Sequence, residues 1–350
     1  MKKFAIFIII ILITVALAIG GAYIYNNYFE DLSETTNNVK EKNTLDEIVV
    51  EEKKIKTFAG NDRPIAVMID NHKDALPHAG LSDAYMVYEI IVEGGETRLM
   101  ALFKGAKLEK IGPVRSSRHY FLDYALENDA IYVHFGWSPQ AQKDIKSLGV
   151  NNINGIADDD AFWRVKDKQA PHNAMTSTER ILNVAKSKGY RTTSDVDSVL
   201  KYSIDEVNLE SDSTAQVADK ITIPFSPSNS VKWEYDKDKK EYIRYTKGTK
   251  EIELDTKESV TAKNIIIEFE SNSTIKGDDS GRQNVNTLGN HEGYYITNGK
   301  AIKINCAKSA RKSKTEYTDM NGNAISVNDG NTFMQICPIN AKVTFETSEQ

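Results

Sequence analysis

Three textures of hydrophobic and polar positions follow one another along the chain. Behind Met1, Lys2 and Lys3 comes an uncharged, mostly apolar run from Phe4 to Tyr25, 22 residues long. About 20 helical residues at 1.5 Å each cross a hydrocarbon core of about 30 Å, so the run predicts a membrane anchor over residues 1–25 with its lysines on the cytoplasmic side. A cleaved secretory signal is the competing reading, with Ala16-Leu17-Ala18 as its small-x-small site. Both readings place the remaining chain outside the cytoplasm. Residues 26–57 are polar, mix Glu with Lys, and contain neither proline nor glycine. They predict a stalk with a reach of roughly 30 Å as a flexible coil.

Residues 58–192 alternate strand-like and helix-like patterns. Pro64 to Ile69, Ala84 to Val92, Thr97 to Phe103 and Ile131 to Phe135 are short apolar runs that predict buried strands. Gly112-Pro113 puts proline at the first position of a predicted helix carrying Val114, Phe121, Leu122 and Ala125. Ser138-Pro139 opens a second that stops at Gly149, and Thr176 with Glu179 forms a capping box for a third that stops at Gly189. An α/β layered domain is the economical reading. After a connector at 193–214, residues 215–350 predict a mainly β domain. Its strands are Ile221–Phe225, Val231–Tyr235, Tyr242–Tyr245, Glu251–Leu254, Asn264–Phe269, Tyr294–Thr297 and Ala301–Asn305, with a long surface loop from Ser271 to Asn290.

Composition narrows the classes. A net charge of −6 argues against a nucleic-acid binder. Two cysteines, Cys306 and Cys337, make at most one bridge. Five of the six histidines lie between residues 72 and 172, and five of the ten arginines between 63 and 164, so the first block is where chemistry is expected.

Within that block, a helix starting at Pro113 would offer free amides beside Arg115, Arg118 and His119 on one face, an anion site with Ser116. Internal pairing of these arginines with Asp70, Glu89, Glu93 or Glu96 is the plain structural alternative. Gly94-Gly95 turns between two strands, with Glu93, Thr97 and Arg98 at the strand ends. Asp70, Asn71, His72, Asp74 and His78 match no standard metal spacing, so neither a metal nor another cofactor is expected. His134 and His172 are candidate bases, and no serine sits in a Gly-x-Ser-x-Gly elbow.

These segments carry a family resemblance. Residues 63–71 (RPIAVMIDN), 92–98 (VEGGETR), 111–118 (IGPVRSSR), 134–141 (HFGWSPQA) and 171–173 (PHN) resemble the signature segments of the YerB-like lipoproteins. That family has two consecutive domains of unassigned function in the Gram-positive cell envelope. The resemblance implies an extracytoplasmic, membrane-tethered protein and no particular reaction. The chain departs from the pattern in lacking a lipidation cysteine near Ala16–Gly21, so the helix itself is the expected tether, and in His78 and His119. Carried over onto this chain, the candidate site comprises Asp70, Asn71, Glu93, Gly94, Gly95, Thr97, Arg98, Arg115, Ser116, Arg118, His134, Ser138, His172 and Asn173. Asp70, Glu93, His134 and His172 are its candidate catalytic groups, and the rest its ligand contacts. The expected function is a binding or scaffold module for an anionic wall component or a wall-synthesis partner. A hydrolase or transferase acting on wall glycopolymer or peptidoglycan is the alternative.

Overall fold

The computed structural model describes residues 54–348. The predicted anchor and nearly all of the predicted stalk lie outside them. No described helix is long and apolar enough to cross a membrane.

Strands β1 (Ile65–Asp70), β2 (Met86–Ile91) and β3 (Thr97–Phe103) are buried at every position. That burial explains why each reads as a mostly apolar run broken only by Asp70, Glu89 and Thr97-Arg98, since a strand covered on both faces has no side for a polar alternation. β2 and β3 pair antiparallel, β3 pairs antiparallel with β1, and Asp70 lies opposite Arg98 across the last pair. β4 (Ile131–His134) and β5 (Asn152–Asn154) extend the sheet in parallel.

The second block supplies the other half of the same sheet. Strands β6 (Lys220–Ser226), β7 (Asn229–Asp236) and β8 (Glu241–Thr246) alternate buried with less buried positions and form a separate sheet. By contrast β9 (Asn264–Glu270), β10 (Gly289–Thr297), β11 (Lys300–Lys308), β12 (Glu316–Asp319) and β13 (Thr332–Pro338) join β1 to β5. Among the described residues this sheet has eleven strands, in the order β12-β11-β10-β9-β13-β2-β3-β1-β4-β5, with Gln216–Val217 pairing beside β11. β13 is the seam, parallel to β9 on one side and to β2 on the other. Both blocks therefore belong to one compact unit, Lys54–Gln350.

Alternate residues of the central strands feed two cores. Val67, Ile69, Val87, Leu99 and Phe333 face the second sheet, where they join Ile221, Ile223, Val231 and Trp233. Met68, Tyr88, Ile90, Met100 and Met334 face helix α1 (Phe121–Glu127) through Phe121, Leu122 and Tyr124. With α2 (Pro139–Leu148) and α3 (Thr178–Ser187) the described helices remain short, and the fold is mostly β where the sequence suggested an α/β layered first domain.

Caps behave largely as their chemistry dictates. Ser138 Oγ accepts from Ala141 N at 3.2 Å with Pro139 in the first turn, and Gly149 closes α2 at φ +67°. For α3 the cap is Ser177, not Thr176, whose hydroxyl donates to Ala161 O at 2.7 Å.

Three expectations are corrected. No helix begins at Pro113: residues 111–118 run extended because neighbouring backbone pairs with them, and helix starts only at Phe121. Glu251–Leu254 is not a strand, because its acids serve partners in the other block. Glu253 accepts from Gly80 N at 2.7 Å and from Ser82 N at 3.1 Å. Finally, the 271–290 loop contains a short hairpin, Asn272–Thr274 with Gln283–Val285.

Candidate functional site

The extended segment through Pro113 is what assembles the site. Asp70 N donates to Pro113 O and Arg115 N donates to Met68 O, both at 2.9 Å, while Ser117 N reaches Gly136 O at 2.9 Å. The segment thus lies against the end of β1, next to the start of β3. Glycine is required at 112, where φ is +141° and an added Cβ would stand 2.9 Å from Met175 Sδ and 3.0 Å from Ala174 O.

Arginines meet carboxylates at this junction. Arg118 Nε donates to Glu93 Oε1 at 2.5 Å, and its Nη1 donates to Ser117 O at 2.8 Å and Ser116 Oγ at 3.1 Å. Arg98 Nη1 donates to Ser116 O at 2.5 Å and to the same hydroxyl at 3.2 Å, so Ser116 bridges two guanidinium groups. Arg115 Nε lies 3.2 Å from Asp70 Oδ2, and no hydrogen bond with good geometry serves that buried nitrogen. Burial, then the charge of Arg118, pushes the pKa of Arg98 down to about 10. Burial raises that of Glu93, but the hydrogen bond and charge of Arg118 outweigh it and hold the carboxyl below its ordinary value. Arg282, from the 271–290 loop, approaches Glu93 Oε1 at 3.8 Å while pairing with Asp278 at 2.8 Å. Sequence reading missed it, because nothing along the chain links that loop to Glu93.

Asp70 is the hub. Its Oδ2 accepts from His172 Nδ1 at 2.7 Å, and its Oδ1 accepts from His72 N at 3.2 Å. The rings of His72 and His172 stack at 4.5 Å with 17° between planes, and Asp74 Oδ2 stands 3.5 Å from His72 Nδ1. The structure therefore gathers Asp70, Glu93, Arg98, Arg115, Ser116, Arg118 and His172, and adds His72 and Asp74.

Other predicted positions serve the scaffold. Asn71 Nδ2 donates to Thr97 Oγ1 at 2.7 Å and Glu89 Oε1 at 3.1 Å, and Thr97 Oγ1 donates to Glu89 Oε1 at 2.7 Å. Gly94 and Gly95 make the β2–β3 turn at φ +68° and +76°, and Gly95 O accepts from Ser226 Oγ at 2.9 Å. His134 is fully buried, with Nδ1 2.8 Å from Gly136 O and Nε2 3.2 Å from the Asn152 amide, and burial pushes its pKa down to about 4. Ser138 caps α2, and Asn173 accepts from Arg164 Nη1 at 2.6 Å. His78 sits inside, between Glu251 Oε1 at 2.6 Å and Asp70 O at 2.7 Å. His119 meets Asn284 Oδ1 at 2.9 Å. A concavity of about 580 Å³ lies elsewhere, beside Trp137, Lys146, Asn152 and Lys188. Cys306 and Cys337 are buried free thiols.

Two family models match the chain in succession. Residues 51–191 match "Protein of unknown function (DUF3048) N-terminal domain" and residues 221–334 match its C-terminal domain. "Putative lipoprotein YerB" of Bacillus subtilis is 32% identical over 272 residues, which is 77% of this chain and 76% of that protein. The crystal structure of YerB from Bacillus subtilis superposes with a TM-score of 0.71 at 29% identity, covering 81% of this chain and 94% of that one. With both halves of the family matched in order and a relative aligned over most of its length, the chain belongs to the two-domain DUF3048 family of YerB-like proteins.

Proposed function

We propose that this is an extracytoplasmic envelope protein, tethered to the membrane through residues 4–25, whose arginine cluster binds an anionic cell-wall component or an acidic surface of a wall-synthesis protein. The lipoprotein name of the relative and the apolar run support the location. One observation carries the binding reading. Arg98, Arg115 and Arg118 share the two carboxylates of Asp70 and Glu93, which leaves a surplus positive charge in a partly desolvated place. A phosphate or carboxylate would relieve that repulsion.

The enzymatic alternative has less support. His134 has both ring nitrogens engaged and is fully buried, and Glu93 is held ionised against Arg118.

The test is calorimetric titration of the full chain in detergent with polyol-phosphate wall-polymer fragments and with muropeptides. Arg115→Ala should weaken binding by about 1.5–3 kcal/mol, the value of a charge-assisted contact. Stability should change little, because Asp70 keeps His172 and the His72 amide. A large loss of stability, or unaltered affinity, would refute the reading.

A further inference from the structure

We propose that His72, Asp74 and His172 form a binding site for a divalent transition-metal ion, with Asp70 orienting it from behind. One ligand atom from each of the three residues lies within 4.8 Å of the others. His72 Nδ1 and Asp74 Oδ2 are 3.5 Å apart. Two ligands held about 2.1 Å from one tetrahedral ion stand about 3.4 Å apart, so this pair has the spacing for a shared ion once His72 Nδ1 exchanges the Asp74 N–H it accepts at 3.2 Å for the metal.

The second histidine is prepared by its partner. His172 Nδ1 is committed to Asp70 Oδ2 at 2.7 Å, which puts the proton there and leaves Nε2 with the free lone pair. A carboxylate that fixes the tautomer and ring of a ligating histidine is the usual outer support of a histidine metal site. Here that carboxylate also faces Arg115 at 3.2 Å, so the ion site and the arginine cluster share one residue.

The two loops that bring the ligands are tied together without any metal. Lys168 Nζ donates to Ala75 O at 2.9 Å and to Leu76 O at 2.6 Å, which clamps the loop after His72 to the loop before His172. This tie lowers the entropy lost on closing the ligands around an ion, and the stacked rings of His72 and His172 need only turn apart to aim both lone pairs at it. The side chains of Asp74 and His72 are 58% and 34% exposed, so remaining coordination positions open to solvent. Two imidazoles and one carboxylate suit zinc, cobalt, nickel, copper or ferrous iron, whereas calcium and magnesium want oxygen ligands alone.

Chain packing, not sequence spacing, creates the set, since His172 comes from a loop a hundred residues further on. This inference stands apart from anion binding, because its probe is the metal alone. The experiment uses the full chain in detergent, without a histidine tag and stripped with chelator, titrated with Zn²⁺ by calorimetry. One ion should bind per chain, and His72→Ala and His172→Ala should each weaken it by at least about tenfold, while Asp70→Asn should weaken it about 10- to 100-fold at unchanged stoichiometry. Circular dichroism melts establish that each variant is folded. Should a variant unfold, the wild-type Co²⁺ complex decides: intense visible bands of a four- or five-coordinate ion support the site, and the weak bands of the aqueous ion overturn it. Stoichiometric Zn²⁺ binding that survives in His72→Ala/His172→Ala, or none in the wild type, would also overturn it.

Discussion

Replacing Arg244 by Met tests how the two halves are locked. Its guanidinium is wholly buried between two wholly buried carboxylates, with Nη2 2.8 Å from Glu89 Oε2 and Nη1 against Glu251 Oε2. Glu89 belongs to the first half, Arg244 and Glu251 to the second, and His78 carries the chain of contacts back to β1. Asp70 O can only accept, so His78 Nε2 bears a hydrogen, and burial pushes the pKa of the imidazole down to about 4. Removing the guanidinium leaves Glu89 with Asn71 and Thr97 as donors and Glu251 with His78 alone. Breaking such a buried pair costs about 3–5 kcal/mol, because a carboxylate is stranded away from water. At about 2 °C per kcal/mol for a body of this size, the melting temperature should fall by roughly 6–10 °C. Salt should not restore it, since buried charges are poorly screened. The companion variant Glu89→Gln/Arg244→Met/Glu251→Gln should recover most of the loss. A fall below about 1 kcal/mol on the linear urea scale, or one abolished by salt, would refute the account of this contact as the lock.

Two further outcomes are expected. Glu268, buried beneath Tyr317 at 2.7 Å, has its pKa pushed up to about 8, first by burial and then by Glu270. The native state therefore keeps a proton that the unfolded chain releases near 4.5, and stability is lost as pH rises from about 4.5 through 8. Glu268→Gln removes that dependence, so melts at pH 5 and pH 8.5 should show its advantage over wild type growing at the higher pH by roughly 3–5 kcal/mol at most; parallel profiles would contradict it. Cys306 and Cys337 should resist thiol reagents in the native protein and both react after unfolding without reductant, and a mass loss matching one disulfide would contradict the buried free thiols.

What the sequence disclosed follows from range. β1, β2, β3 and the cap of α2 were legible because a strand buried on both faces and a Ser-Pro helix start are local signals. β13 was not, although it is the seam of the sheet. Its run Thr332–Pro338 begins on Thr332, ends on Pro338 and carries Gln335 between, so only two short apolar pairs, Phe333-Met334 and Ile336-Cys337, mark it along the chain. Pro113 misled for the opposite reason: proline after glycine suits a helix start, yet it also suits an extended segment whose amides are taken by β1 and by Ala174.

The candidate site divides along the same line. Arg98, Arg115, Arg118 and Glu93 could be named from their crowding along the chain, but their reason for meeting was wrong, because backbone pairing and not a helix face assembles them. Asp70 explains how one short strand end can matter so widely. Its side chain holds His172, His72 and Arg115, its carbonyl holds His78, and its amide holds Pro113. A residue so engaged is both a structural knot and the link between the arginine cluster and the histidine pair. Substituting it should therefore disturb charge and ring orientation while its backbone bonds to Pro113 and His78 survive, whereas Arg115 and His72, half-buried at the rim of the same arrangement, can be replaced at less cost to folding.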